Sequence, residues 1–243
     1  MKHDEFPVTD EELWLYTLCK KNGIIITDIQ IRLLQRYKNL LLEWNKKINL
    51  VSRKNEDRLW KGHIALSLSM LFKIKFSPSM SILDLGTGGG FPGIPLSIML
   101  PDSSFVLLDS TQKKIIAVKA MADELPLSNL STVWGRAEEI GALKGYRSSF
   151  DAVVARSVSG LSNLIVWGIP FLRNGSTQSY HENGKLVLST PSLITFKGME
   201  IDEEEEVARR AFPKISIDNI PLVFPGSEEF DNFDKQLVIV TTI

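Results

Sequence analysis

SILDLGTGGGFPG, Ser81 to Gly93, is the stretch that decides the fold. Its first five residues read as a short buried strand, and a turn carrying Gly86, Gly88, Gly89 and Gly90 follows at once. The next run, PGIPLSIML, has helical character, and Pro92 suits the first turn of a helix, where an N–H has no helical partner to lose. Strand, glycine turn and helix in that order open a nucleotide-binding α/β unit. Without a Cβ, glycine reaches positive φ and lets a nucleoside cofactor lie against the backbone at the carboxyl end of the strand.

Outward from that unit the alternation continues. FVLLD (105–109), KKIIAVKAMADEL (113–125), LSTVW (130–134) and DAVVAR (151–156) predict strand, helix, strand and, after a short helix, another strand. A helix is expected at 161–172, a strand near 185–189 or 193–197, and a further helix at the acidic run Glu203 to Glu206. KISIDNIPLVF (214–224) and KQLVIVTTI (235–243) read as a hairpin that adds an antiparallel strand to an otherwise parallel sheet. The polar, glycine-bounded segment 173–184 reads as a loop.

Ahead of the sheet the pattern is helical. Thr9 with Glu12 and Thr27 with Gln30 have the spacing of capping boxes, and Leu33, Tyr37, Leu40 and Trp44 form an apolar stripe with Leu34 and Leu41. A third helix is expected at about 57–72. The expected class is therefore α/β: a Rossmann-like, mostly parallel seven-stranded sheet with a terminal antiparallel strand, behind a small helical extension. The boundary falls at 75, giving an extension at 1–75 and the main domain at 76–243.

With 243 residues, 44% hydrophobic and 23% charged, the composition is that of a globular chain. No apolar run approaches the ~20 residues of a membrane helix, and the polar start MKHDEFPVTDEEL predicts a cytoplasmic protein without a signal peptide. A lone cysteine, Cys19, leaves no internal disulfide, and histidines at 3, 63 and 181 are too scattered to predict a metal site. The net charge of −1 hides an asymmetry: from Arg32 to Lys61 nine basic residues face three acidic ones, a local +6 suited to a polyanion.

Gly88, Gly90 and Gly93 also satisfy the dinucleotide spacing G-x-G-x-x-G, so the turn alone does not choose its ligand. Asp84 favours one answer: a carboxylate there repels a pyrophosphate and attracts the sulfonium and ammonium groups of S-adenosylmethionine. The reading is thus a class I methyltransferase, with a nicotinamide oxidoreductase as the rival. Asp109, ending the second strand, is placed to accept bonds from ribose hydroxyls. GRAEE sets Ala137 and Glu138 beside the adenine, and Arg156 ends the fourth strand where the catalytic loop of such folds begins. The run ARSVSG there is not the Asn-Pro-Pro-aromatic motif of base amino methylation, and Cys19 lies far from the core. A ring nitrogen is the attractive nucleophile, since its lone pair needs no base.

LLLEWNKKINL, His63 and Ser67, ILDLGTGGGFPGIPL, LLDS, GRAEE, FDAVVARSV and FKG together resemble the bacterial 16S rRNA guanine-N7 methyltransferase family, also called the methyltransferase G or glucose-inhibited division protein B family. The resemblance implies methyl transfer from S-adenosylmethionine to N7 of a guanine in 16S ribosomal RNA or the small subunit, by a monomer without metal. It implies cofactor contacts at Gly86, Phe91, Ala137, Glu138 and Arg156, beside Asp84, Gly88 and Asp109. It also assigns Asn49, His63, Ser67 and Lys197 to the site rim and the RNA, and Arg53 lies in the basic stretch that would meet phosphates. Where the family has Asp-Ser this chain has Leu66-Ser67, Val51 stands in place of a threonine, and the loop 173–184 is long. A methyltransferase with another substrate, or an inactive ribosome assembly factor on the same fold, are the alternatives.

Overall fold

Two capping boxes start the chain's first helices. In each, the threonine side chain accepts from the backbone N–H three residues on, and the Glu12 or Gln30 side chain accepts in return from the cap N–H. These observations come from a computed structural model that describes residues 9–175, 179–188, 191–230 and 234–242. Helices α1 (Asp10–Lys21) and α2 (Asp28–Asn45) lead to a π-helical stretch, Leu59–Ala65, which runs into α3 (Leu66–Lys73). Then come β1 (Ile74–Phe76), β2 (Ser81–Leu85), α4 (Gly93–Met99), β3 (Ser104–Asp109), α5 (Gln112–Glu124) and β4 (Leu130–Trp134). The chain continues through α6 (Ala137–Ile140), β5 (Ala152–Arg156), α7 (Leu161–Gly168), β6 (Tyr180–Glu182) and β7 (Lys185–Leu188). It closes with β8 (Ser192–Gly198), α8 (Asp202–Ala211), β9 (Ile215–Pro221) and β10 (Lys235–Thr242).

The main sheet has seven strands in the order β4-β3-β2-β5-β8-β10-β9. All neighbours are parallel except β10, which runs antiparallel to both β8 and β9. The strands β2, β3 and β4 step outward in one direction, and the chain then returns to place β5 on the other side of β2. At that reversal the loops after β2 and β5 part to opposite faces, leaving a crevice at their carboxyl ends. Residue Leu85 pairs with Ala155, so the glycine turn and Arg156 leave the sheet side by side.

Strand side chains alternate between two apolar layers. Ile82, Phe105, Ala152, Val154, Leu237 and Ile239 join a core shared with α1 to α5. Leu83, Leu108, Val153, Ala155, Val238 and Val240 face the other layer, under α7 and α8. Because both faces are covered, the strands read as continuous apolar runs. The expected stripe of α2 is the link between the helical layer and the sheet: Leu34, Tyr37, Leu40 and Leu41 are buried in the first core, while Leu33 and Trp44 pack at its edge.

Three expectations need correcting. The third helix is not uniform: around Gly62, a poor helix former, the backbone widens to π geometry before α3 begins. Of the two candidate strands, the main sheet takes 192–198, and 185–188 instead joins a separate three-stranded sheet in the order β1-β7-β6. The segment 173–184 is also not loop throughout, because Tyr180–Glu182 pairs antiparallel with β7. Its residues 176–178 lie outside the described ones. Among the described residues, no helix is long and apolar enough to cross a membrane.

Leu34 is fully buried between α2 and the sheet. Leu34→Ala should cost ~2–5 kcal/mol. Since helices and sheet share this core, urea unfolding followed by far-UV circular dichroism should stay a single transition at lower midpoint. A separate early transition for the helices would show that they fold independently.

Candidate active site

The glycine turn is built around one carboxylate. Asp84 Oδ2 accepts from the Thr87 hydroxyl at 2.6 Å and from the Gly93 N–H at 2.8 Å, joining the end of β2 to the start of α4. Gly93 permits this closeness, since a Cβ there would stand 2.6 Å from the same oxygen. Asp84 is fully buried and its Oδ1 has no hydrogen-bond partner. Burial pushes its pKa up to about 7, against the opposing pull of those two hydrogen bonds and of Arg156. Backbone N–H groups of Gly86 and Thr87 both donate to the Leu108 carbonyl, which fastens the turn to β3.

At the tip of the turn, Gly88 has φ 59° and donates to Asp109 Oδ2 at 3.0 Å. The other oxygen, Oδ1, accepts from Thr111 N–H at 2.8 Å. A small cleft of about 80 Å³ opens here, lined by Gly86, Asp109, Arg136, Ala137, Glu138 and Trp167. Gly86 also borders a larger cavity of about 450 Å³, so the two spaces share a wall residue in the turn.

The larger cavity centres on Arg156. Its Nη2 lies 2.8 Å from His63 Nδ1, and Nη1 donates to the His63 carbonyl at 3.2 Å. A guanidinium has no acceptor, so Nδ1 must accept and the imidazole is neutral with its proton on Nε2. Burial and the neighbouring Arg156 push the His63 pKa down to about 3, which agrees. Burial lowers Arg156 to about 10, opposed by Tyr37 and Asp84, and leaves it cationic at neutral pH. Phe91 is the platform of the cluster: its ring centre lies 4.7 Å from the guanidinium carbon, 5.0 Å from the His63 ring and 5.3 Å from Tyr37. Tyr37 donates to the Gly89 carbonyl at 2.8 Å, tying α2 to the turn.

Of the residues singled out in the sequence, Gly86, Gly88, Phe91, His63 and Arg156 line the larger cavity, and Gly86, Asp109, Ala137 and Glu138 line the cleft. Asp84, expected to face the cofactor's positive groups, lines neither space, because its carboxyl is fully buried beneath the turn against Thr87 and Gly93. Ser67 is buried behind the cavity, where its hydroxyl donates to the His63 carbonyl at 2.7 Å. The Lys197 ammonium is 2.6 Å from Glu204 Oε2 and donates to the Ser159 carbonyl at 3.0 Å. Asn49 is exposed on the turn after α2, next to the wall residues Leu50 to Ser52. The Arg53 side chain lies outside the described residues. Sequence reasoning missed Asn45, whose amide accepts from Leu50 and Val51 N–H and donates to the Val51 carbonyl and Glu56, shaping that wall. An asparagine at a helix end before a turn was the available signal. Lys114 and Phe196, which belong to motifs of the resemblance but were given no role, also line the cavity, as does Lys235, which nothing local marks.

Residues 30–187 match a family model described as rRNA small subunit methyltransferase G. A ribosomal RNA small subunit methyltransferase G of Chlorobaculum tepidum is 40% identical over 228 residues, 91% of this chain and 94% of that one. Its counterpart in Moorella thermoacetica is 36% identical over 231 residues, 95% and 90% of the two chains. The chain belongs to the rRNA small subunit methyltransferase G family. A crystal structure of a SAM-dependent methyltransferase from Aquifex aeolicus has the same fold at 13% identity, with a TM-score of 0.51 over 84% of this chain and 98% of that one. As a member of the methyltransferase G family, the protein is an S-adenosylmethionine-dependent methyltransferase.

The residues present fit that cofactor. A Cβ on Gly88 would meet only the Gly86 carbonyl, at 3.9 Å, so the face of the turn is open to a ligand. Asp109 uses one lone pair of each oxygen on the backbone and keeps others for a diol. Among the described residues, no group of three histidine, cysteine or acidic side chains is arranged to hold a metal.

The raised pKa of Asp84 gives a stability signature. The folded state holds this proton more tightly than the unfolded chain, so its contribution falls as pH rises from about 4 to about 7 and is then constant. Relative to Asp84→Asn, the wild type should lose up to ~4 kcal/mol across that window. Parallel denaturant titrations at pH 5 and pH 8 measure the difference, and a pH-independent gap would show that Asp84 is ionised throughout.

Proposed function

We propose that this protein transfers a methyl group from S-adenosylmethionine to N7 of a guanine in 16S ribosomal RNA, acting as a cytoplasmic monomer on that RNA or on the small subunit. One observation carries the reading: the cleft bearing Asp109 and the cavity bearing Arg156 meet at Gly86. A nucleoside whose sugar lies against Gly86 would border both spaces, which supports a reactive end directed toward Arg156. The relatives from Chlorobaculum tepidum and Moorella thermoacetica, both ribosomal RNA small subunit methyltransferases G, support the RNA class.

Bound S-adenosylmethionine supplies an electrophilic methyl group on a sulfonium. Asp109 would accept hydrogen bonds from the ribose hydroxyls, Ala137 and Glu138 would flank the adenine, and the turn from Gly86 to Gly88 would support the sugar. On the substrate side, Arg156 spends two of its five donors on His63 and offers the others to a carbonyl oxygen. Guanine O6 is such an oxygen and stands next to N7. His63, neutral and engaged at Nδ1, is a positioning residue rather than a base, as is Ser67 behind it. N7 attacks with its own lone pair, so the protein contributes alignment, which can lower a barrier by ~7 kcal/mol or more.

Lys46, Lys47 and Lys61 are exposed on the helical layer and suit phosphates, as does Asn49 on the turn after α2, and Arg53 joins them on the sequence alone. Arg36 and Lys38 belong to that stretch but are paired with Glu124 and Glu11. Lys197 is assigned to the rim through Glu204, which also accepts from the Leu161 N–H at the start of α7.

Incubation of the protein with small subunits from a strain lacking the enzyme and tritiated methyl donor should label 16S RNA, and cleavage at the labelled base should report 7-methylguanine. Label on protein, or on a base at another atom, would overturn the assignment. Arg156→Ala should lower kcat by about a hundredfold or more, as loss of a positioned charged donor does. Asp109→Ala should weaken binding of the donor about ten- to a hundredfold by calorimetry, and an unchanged Kd would remove Asp109 from the ribose.

A further inference from the structure

Beside the cavity that holds Arg156 lies a second one, of about 520 Å³, and the two share Gly62, Leu66 and Lys235. Trp14, Trp60 and Phe230 are among its lining residues, Trp14 partly exposed and Trp60 and Phe230 buried in the wall behind it. Trp14 and Phe230 stand 5.6 Å apart at a tilt of 55°. Lys61 Nζ lies 5.0 Å from the Trp14 ring centre and Lys38 Nζ 5.6 Å from that of Trp60. The Trp60 indole N–H is buried with no hydrogen-bond partner. Carboxylates are present too: Glu11 is paired with Lys38, and Asp10 and Asp57 are exposed on the rim.

We infer that this second cavity is a nucleotide-binding subsite that receives the RNA base next to the methylated guanine, with the connecting phosphate at Lys235. The inference rests on the RNA reading and extends it. Aromatic walls beside ammonium groups are the chemistry that binds a base with its phosphate, because every base has a stacking face. A volume of this size lies within the range of small-ligand sites. Because Gly62, Leu66 and Lys235 line both cavities, a nucleotide beside the one in the larger site is within reach of this one. Asp10 and Asp57 accept hydrogen bonds and so favour a base with an exocyclic amino group, adenine, cytosine or guanine, over uracil.

The test compares two RNA fragments that span the mapped guanine and differ by a single abasic nucleotide beside it, placed on the 5′ side in one series and on the 3′ side in another. Wild-type protein should bind one abasic fragment about tenfold more weakly than the intact one. Trp14→Ala should bind the intact fragment about tenfold more weakly and lose nothing further at the abasic site, while its affinity for S-adenosylhomocysteine is unchanged. Trp14→Phe should recover most of the loss, and Lys61→Ala, an exposed change, gives the same comparison should Trp14→Ala fail to fold. Equal binding of intact and abasic fragments by the wild type would overturn the subsite, as would losses that simply add. If Trp14→Ala methylates small subunits poorly but binds protein-free RNA as the wild type does, the cavity serves a protein side chain instead. Failure of the wild type to bind or methylate any RNA would sink the RNA reading itself, which is a different outcome.

Discussion

A carboxylate sealed beneath a glycine turn is the constraint on which the site depends. Asp84 has surrendered its water to hold Thr87 and Gly93, and the backbone between them can then do little except expose its tip to the crevice. The cost is visible in the raised affinity of Asp84 for a proton and in an oxygen with no partner. Such strain is tolerated where a turn must be held in one shape for a ligand. The neighbouring strand completes the arrangement, because Asp109 grips Gly88 from the other side and keeps lone pairs for a second task.

The N-terminal helices take part in the chemistry through two side chains. Tyr37 of α2 holds the Gly89 carbonyl, and His63 of the π-helical stretch holds Arg156 by both its ring and its carbonyl. Phe91 stacks between these contacts. A layer that could have been only a lid over apolar strands therefore sets the orientation of the one cation at the centre of the cavity wall. Tyr37 and Ser67 thus connect to the groups around Arg156, Tyr37 through Phe91 and Ser67 through the His63 carbonyl.

Most of the sheet was legible because its strands are buried on both faces and separated by helices, a pattern that composition alone makes visible. The capping boxes were legible for a similar reason: their chemistry is local. The three-stranded sheet was not, since β1, β6 and β7 are three or four residues long and the pairing of β1 with β7 joins positions more than a hundred residues apart. The roles of site residues divide along the same line. Asp109, Ala137 and Glu138 follow from strand ends, whereas the inward turn of Asp84 and the capture of Lys197 by Glu204 depend on contacts that spacing does not encode. Leu66 stands in place of the family's aspartate and lines both cavities, so the departure seen in the sequence alters the wall between them rather than the cofactor's cleft.

Strand β10 is inserted between β8 and β9, and β9 has no other neighbour in the sheet. Assembly of that half of the sheet must therefore wait for residues 235–242 to leave the ribosome. Until then β8 presents an open, apolar edge ready to pair with any extended chain. A nascent or truncated polypeptide lacking this segment would keep that edge open and would also lack Lys235 from the wall of the larger cavity.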